Sequence, residues 1–142
     1  MNTDDMLAEE TRIRTARGLP KRTVDDSLQR TATELAAMLA VPGAPFSHGI
    51  GGGMSRRLAS HGWTGSDASE NIAAGNDTVA ATFDQWMRSP GHRKNILSDL
   101  NLCGFGHAVR NGTHYWAACY GSKSPVSQGS GGWWSWIWNL WR

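Results

Sequence analysis

Apolar residues recur at the helical period in two clear stretches of this chain. Leu28, Ala32, Leu35 and Leu39 keep a spacing near that of a helix, with Asp25 and Asp26 in the first turn and Pro42-Gly43 at the end, which predicts a helix over 24–40. Val79, Phe83, Trp86 and Met87 form a second stripe, with Asn76 and Asp77 as candidate caps and Ser89-Pro90-Gly91 as a stop. Residues 4–17 read as a more polar helix, capped by Asp4 or Asp5 and stopped at Gly18-Leu19-Pro20. Shorter helical pieces are expected over about 53–61 and 93–97. Residues 69–72 read as a short strand, and 103–110 with 113–121 as an antiparallel hairpin around Asn111-Gly112. Helices followed by a hairpin argue for an α+β domain.

After this hairpin the pattern is lost. From Ser122 to Gly132 the chain is rich in Ser and Gly, a composition expected of a flexible linker. Behind it Trp133, Trp134, Trp136, Ile137, Trp138 and Trp141 crowd the last ten residues. The expected division is a domain over 1–121, a linker over 122–132 and a docking tail over 133–142. Tryptophan combines a large apolar area with one N–H donor, which suits the centre of a protein interface. A membrane-surface anchor would carry several basic residues, and only Arg142 is present here. The tail is therefore expected to bind a protein partner or a second copy of the chain, with a membrane interface as the minor alternative.

Composition changes this picture little. A length of 142 residues suits one domain, and a net charge of +2 argues against nucleic acid as a partner. Arg12, Arg14, Arg17, Lys21 and Arg22 cluster, but flanking acids make a solvated helix face the expected reading. Cys103 and Cys119 lie on the two hairpin strands. A symmetric two-residue turn puts them on opposite faces as buried thiols, whereas a bulge or odd loop brings them together as a disulfide. The acidic N-terminus carries no signal-peptide pattern, and the longest apolar run is too short to span a bilayer. The expectation is synthesis in the cytoplasm, followed by release or incorporation into a larger assembly.

Three motifs carry candidate chemistry. Phe46-Ser47-His48 precedes a glycine-rich connector that lacks the Lys-Ser/Thr ending of a phosphate loop. Glu70-Asn71-Ile72-Ala73-Ala74-Gly75 follows, then Trp86-Met87-Arg88-Ser89-Pro90-Gly91-His92-Arg93-Lys94-Asn95-Ile96-Leu97. In this order they resemble the bacterial branch of the CAP superfamily, the cysteine-rich secretory and pathogenesis-related proteins, over roughly residues 5–121. The resemblance implies a three-layer α-β-α sandwich. It also implies that His48, Glu70 and His92 are three members of a cleft tetrad of two histidines and two acids. The fourth acid, three positions after the helix tryptophan, is replaced by Ser89.

Two imidazoles and a carboxylate are donors that zinc or another divalent metal accepts, with a position left for water. His48, Glu70 and His92 are thus the expected metal ligands and, if the protein is an enzyme, the catalytic residues. Without the second acid the obvious proton acceptor is missing. The reading is a CAP-type binding module whose cleft recognises a small ligand, a lipid or a cell-envelope component, tethered to a partner by its tail. The alternatives are a metal-assisted hydrolase, a peptidase or cell-wall enzyme using the same cleft, and a structural interaction protein, virion-associated, with a vestigial cleft. Enzymatic activity is left open. Asn71 and Asn95 are expected to tie the cleft to backbone groups, and Phe83, Trp86 and Trp116 to fill the core.

Overall fold

The computed structural model describes residues 2–123. Five α-helices and four strands follow in the order α1 (Asn2–Thr15), β1 (Thr23–Val24), α2 (Asp26–Leu39), α3 (Met54–Ser60), β2 (Ala68–Ala74), α4 (Val79–Met87), α5 (Pro90–Leu97), β3 (Leu102–Arg110) and β4 (Thr113–Gly121), with one 3-10 turn over Ile50–Gly52. The strands form one sheet in the order β1-β3-β4-β2. β1 runs parallel to β3, and the other pairs are antiparallel. The α+β class and the three-layer α-β-α sandwich are both present. The two-residue β1 carries no periodic signal and pairs only through Thr23 and Val24.

Alternation along the strands divides the core between two faces. On one face Ile72, Ala117 and Cys119 meet Leu28, Ala32, Leu35 and Leu39 of α2 and Leu58 of α3. On the other, Cys103, Phe105, Trp116 and Tyr120 pack with Met6 and Ile13 of α1, Phe83 and Trp86 of α4 and Ile96 of α5. α2 lies directly on β3. A Cβ at Gly104 would stand 2.2 Å from the Leu28 backbone, and one at Gly106 would stand 2.1 Å from the Ala32 carbonyl oxygen. Any side chain at either glycine would push the helix off the sheet.

Several boundaries differ from the periodicity. Asp25, in extended conformation, caps α2 by accepting from the Leu28 N–H. α4 is capped by Thr78, which accepts from the Ala81 N–H, and not by Asn76 or Asp77. α1 begins at Asn2, so Asp4 and Asp5 lie inside its first turn rather than capping it. Ser89-Pro90-Gly91 does end α4, but Pro90 also starts α5, where its fixed φ and missing N–H cost nothing.

Asn111 and Gly112 have φ of +50° and +78°, the pair of left-handed residues that a type I′ hairpin turn requires. This symmetric turn sets Gly104 opposite Cys119 and Cys103 opposite Tyr120. The two thiols point to opposite faces, and both are free and buried. Burial pushes Cys103 up to about 12 and raises Cys119 well above the ordinary thiol value, so neither is a ready thiolate.

The basic cluster of the first helix is the main correction to the sequence reading. Arg14 and Arg22 are buried, together with Glu10. Arg22 donates to Glu10 and lies over the Tyr120 ring, while the Tyr120 hydroxyl donates to Glu10. The two guanidinium groups also take the carbonyls that α5 leaves open at its C-terminal end. Arg14 reaches the carbonyls of Ile96 and Ser98, and Arg22 those of Asn95, Ile96, Ser98 and Leu100. Two cations at the negative end of a short helix, balanced by Glu10 and saturated with acceptors, explain how the charges tolerate burial. Burial still raises the pKa of Glu10 against the opposing pull of Arg22.

Candidate functional site

The predicted site residues lie around β2, an edge strand of the sheet. Neighbouring residues of a strand face opposite sides, so Glu70 turns toward the α2–α3 layer and Asn71 toward the α4–α5 layer. One strand therefore reaches into both layers at a single point. The backbone edge there is closed by side chains. The Trp86 indole N–H donates to the Ile72 carbonyl at 3.1 Å, and the Asn95 amide donates to the Glu70 carbonyl at 3.3 Å.

Glu70 is almost fully buried, with its side chain 3% exposed. Arg57 of α3 donates to it from both terminal nitrogens, at 2.8 Å to Oε1 and 3.0 Å to Oε2. His48 Nδ1 lies 2.8 Å from Oε2. A carboxylate paired with a guanidinium accepts, so Nδ1 is the donor of that bond. Arg57 also donates to the backbone carbonyls of Ile50 and His48 at 2.8 and 2.6 Å. One buried guanidinium thus fastens Glu70 and both ends of the turn from His48 to Ile50. Beyond that turn Gly51, Gly52 and Gly53 all have positive φ. Glycine supplies this run of backbone at little steric cost, and Arg57 makes the segment a pinned loop rather than a loose connector.

His92 enters from α5 in the other layer. Asn71 Nδ2 donates to the His92 carbonyl at 3.1 Å, and Asn95 donates to Asn71 Oδ1 at 2.8 Å. The His92 ring lies 6.4 Å from that of Trp86, between centroids. Burial lowers the His92 pKa, and its electrostatic interaction with His48 acts in the same direction. Ser89 occupies the cap position of α5 without a side-chain capping bond. Ser89 and His92 form no hydrogen bond among the described residues.

The structure joins His48 directly to Glu70, and links Glu70 to the His92 backbone through the neighbouring Asn71 and Asn95. The sequence reading lacked Arg57, which holds the carboxylate. A metal sharing all three predicted ligands would need Glu70 as a donor, yet each of its oxygens already accepts from Arg57. A guanidinium beside that carboxylate also opposes a second cation. Among the described residues no group of three or more His, Cys, Asp or Glu side chains is arranged to hold a metal ion.

A second histidine pair lies away from this cleft. Asn2 Nδ2 is 2.9 Å from His107 Nδ1, and His107 Nε2 is 2.8 Å from His114 Nδ1, with both rings against Trp116. Trp133, Trp134, Trp136, Ile137, Trp138 and Trp141, expected to bind a partner, lie outside the described residues. No described helix is long and apolar enough to cross a membrane.

The sequence profile of the cysteine-rich secretory protein family, the CAP domain, matches residues 10–120, and the chain belongs to this family. Solved structures agree on the fold. An outer surface protein of Borrelia burgdorferi superposes with a TM-score of 0.77 at 18% identity, over 85% of this chain and 92% of that one. An extracellular protein of Bacillus anthracis containing an SCP domain gives 0.74 at 26% identity, over 86% of this chain but 40% of the other. A cysteine-rich secretory protein of Staphylococcus aureus gives 0.64 at 17%, over 85% and 40%. None of the curated proteins compared with the chain matches it.

Proposed function

We propose that this CAP domain is a binding module. Its cleft takes a small ligand, a lipid or a cell-envelope fragment through His48 and His92. Residues 133–142 tether the domain to a protein partner or a second copy of the chain. The observation that carries the first half is the commitment of Glu70. With both oxygens bonded by Arg57, the carboxylate anchors the site, and the half-open His48 and the less exposed His92 are the groups a ligand meets. An envelope component is favoured among the ligands because similar folds occur in an outer surface protein and in an extracellular protein of bacteria.

The test is co-sedimentation of the full chain with purified insoluble peptidoglycan, and with vesicles of phosphatidylglycerol and phosphatidylethanolamine. Comparing the wild type with the His48→Ala/His92→Ala variant isolates the cleft, since the tail is the same in both. The expected result is association that the double variant loses. Equal association of both proteins, or no association of the wild type with either surface, removes this reading.

A further inference from the structure

The imidazole pair of His107 and His114 joins three elements at one point. His107 Nδ1 lies 2.9 Å from Asn2 Nδ2 at the start of α1, and its Nε2 lies 2.8 Å from Nδ1 of His114 on β4. The rings stand 5.0 Å apart between centroids, stacked on one another and packed against Trp116. Trp116 in turn donates its indole N–H to the Asn76 carbonyl, in the turn before α4, at 2.8 Å. The pair therefore lies between the starts of α1 and α4, beside a hollow lined by Asn2, Asp5, Asp77 and Thr78.

Only one proton fits between Nε2 of His107 and Nδ1 of His114, since one ring must donate and the other accept. A first added proton is accommodated. It goes to the outward Nε2 of His114, which has no hydrogen-bond partner among the described residues. The bond between the rings then becomes charge-assisted, with the Asn2 amide turned to present its oxygen to His107 Nδ1. A second proton sets N–H against N–H and puts two positive charges at the positive end of α1. Asp4 and Asp5 are the acids of that first turn, and among the described residues neither they nor Asp77 bonds to either ring. Glu9 and Arg12, further along α1, pair with each other, and Arg110 turns to the opposite face of the hairpin. Burial lowers the His107 pKa, and its electrostatic interaction with His114 acts in the same direction.

We propose that Asn2, His107 and His114 form an acid-released latch that holds the first turn of α1 to the hairpin. The latch tolerates one proton and opens on the second. As the rings separate, His107 lets go of the Asn2 amide, the first turn frays, and the hollow between α1 and the start of α4 widens. The rest of α1 stays in place, held by Met6 and Ile13 in the core and by the buried Glu10–Arg22 pair.

The test is hydrogen exchange of the full chain at pH 7.5, 6.0 and 4.5, corrected for the intrinsic pH dependence of amide exchange. The reporters are the amides of Leu7 and Ala8, which donate to the first-turn carbonyls of Thr3 and Asp4. Their protection is expected to fall about tenfold at pH 4.5, the loosening that matches a second proton delayed by one pH unit, while the hairpin amides hold. His114→Gln keeps a side-chain donor and acceptor but takes no proton, so it should remove this fall; His61→Gln should not. Histidine titration by NMR adds a readout that needs no variant. His107 and His114 should titrate in two steps separated by more than about one pH unit. Constant protection in the wild type, an equal fall in His114→Gln, or steps as close as those of two independent imidazoles would each overturn the latch. His48 and His92 take no part in it, so its failure leaves the ligand cleft untouched.

Discussion

Arg57 donates to both carboxylate oxygens of Glu70, at 2.8 and 3.0 Å, with both side chains nearly sealed from water. This pair joins α3 to the edge strand and sets the position of the loop that carries His48. Breaking a buried pair by neutralising one partner strands the other charge, which typically costs about 3–5 kcal/mol. Glu70→Gln is therefore expected to lower unfolding stability by that amount in urea titration. His48→Ala, which removes only a half-exposed partner, should cost roughly 1 kcal/mol or less. Equal losses in the two variants would show that Arg57 does not depend on Glu70.

The two lowered histidines set an acid limit on stability. Burial depresses His92 and His107 below their ordinary value of 6.5, and the neighbouring His48 and His114 add to the effect. The unfolded chain then binds protons before the folded one does. Stability is present above the ordinary histidine range and is lost as pH falls through it toward the folded values. Glu10, raised by burial, works in the opposite direction in a window that begins above its ordinary 4.5. Urea midpoints at pH 7.5, 6.5 and 5.5 should fall for the wild type and fall less for His92→Gln. A midpoint that rises on acidification, or an unchanged slope in the variant, contradicts this assignment.

Zinc should bind weakly, because the cleft offers two free imidazoles and a carboxylate already committed to Arg57. Calorimetry on metal-free protein is expected to show weak binding at pH 7.5 that weakens further at pH 5.5, because protons compete with the metal for imidazole ligands, and that is lost in His48→Ala/His92→Ala. Tight binding, or binding that survives the double variant, would mean that other ligands hold the ion.

The hairpin, the two amphipathic helices and the α+β class were legible in the sequence because each follows from a local rule, whereas the sandwich came only through the resemblance of the motifs to the CAP family. Asn111-Gly112 dictates the turn, the turn dictates the register, and the register decides against a disulfide. The charged residues were harder to read. Glu10 and Arg14 lie with Met6 and Ile13 on the buried stripe of α1, and Arg57 lies beside Leu58 on the buried side of α3. A charge on an apolar stripe reads as a surface residue until its partner is known. Those partners are Arg22, Tyr120 and Glu70, which only the folded chain brings near. The clusters His48–Glu70 and Asn71–Asn95 were legible as motifs, whereas the role of β2 in reaching both layers required the sheet order.

Ser122 and Lys123 are fastened to the domain, so a truncation should keep both. Ser122 exchanges backbone bonds with Ser66 and Asp67, and Lys123 pairs with Asp25 and lies over the Trp63 ring. A chain ending at Lys123 is expected to keep its circular dichroism and unfolding midpoint while losing partner association or self-association in light scattering. Unfolding of the truncated chain would make residues 124–142 part of the core. Loss of vesicle binding alone would favour the membrane alternative.

The most direct test of the cleft is long-range proton–nitrogen NMR of the five imidazoles of the full chain, His48, His61, His92, His107 and His114. Soluble peptidoglycan fragments and phospholipid bicelles would be titrated separately. The account predicts that His48 and His92 shift together and saturate with one of the two ligands, while His61, His107 and His114 stay in place. Saturable shifts confined to His107 and His114, with His48 and His92 unmoved, would contradict it.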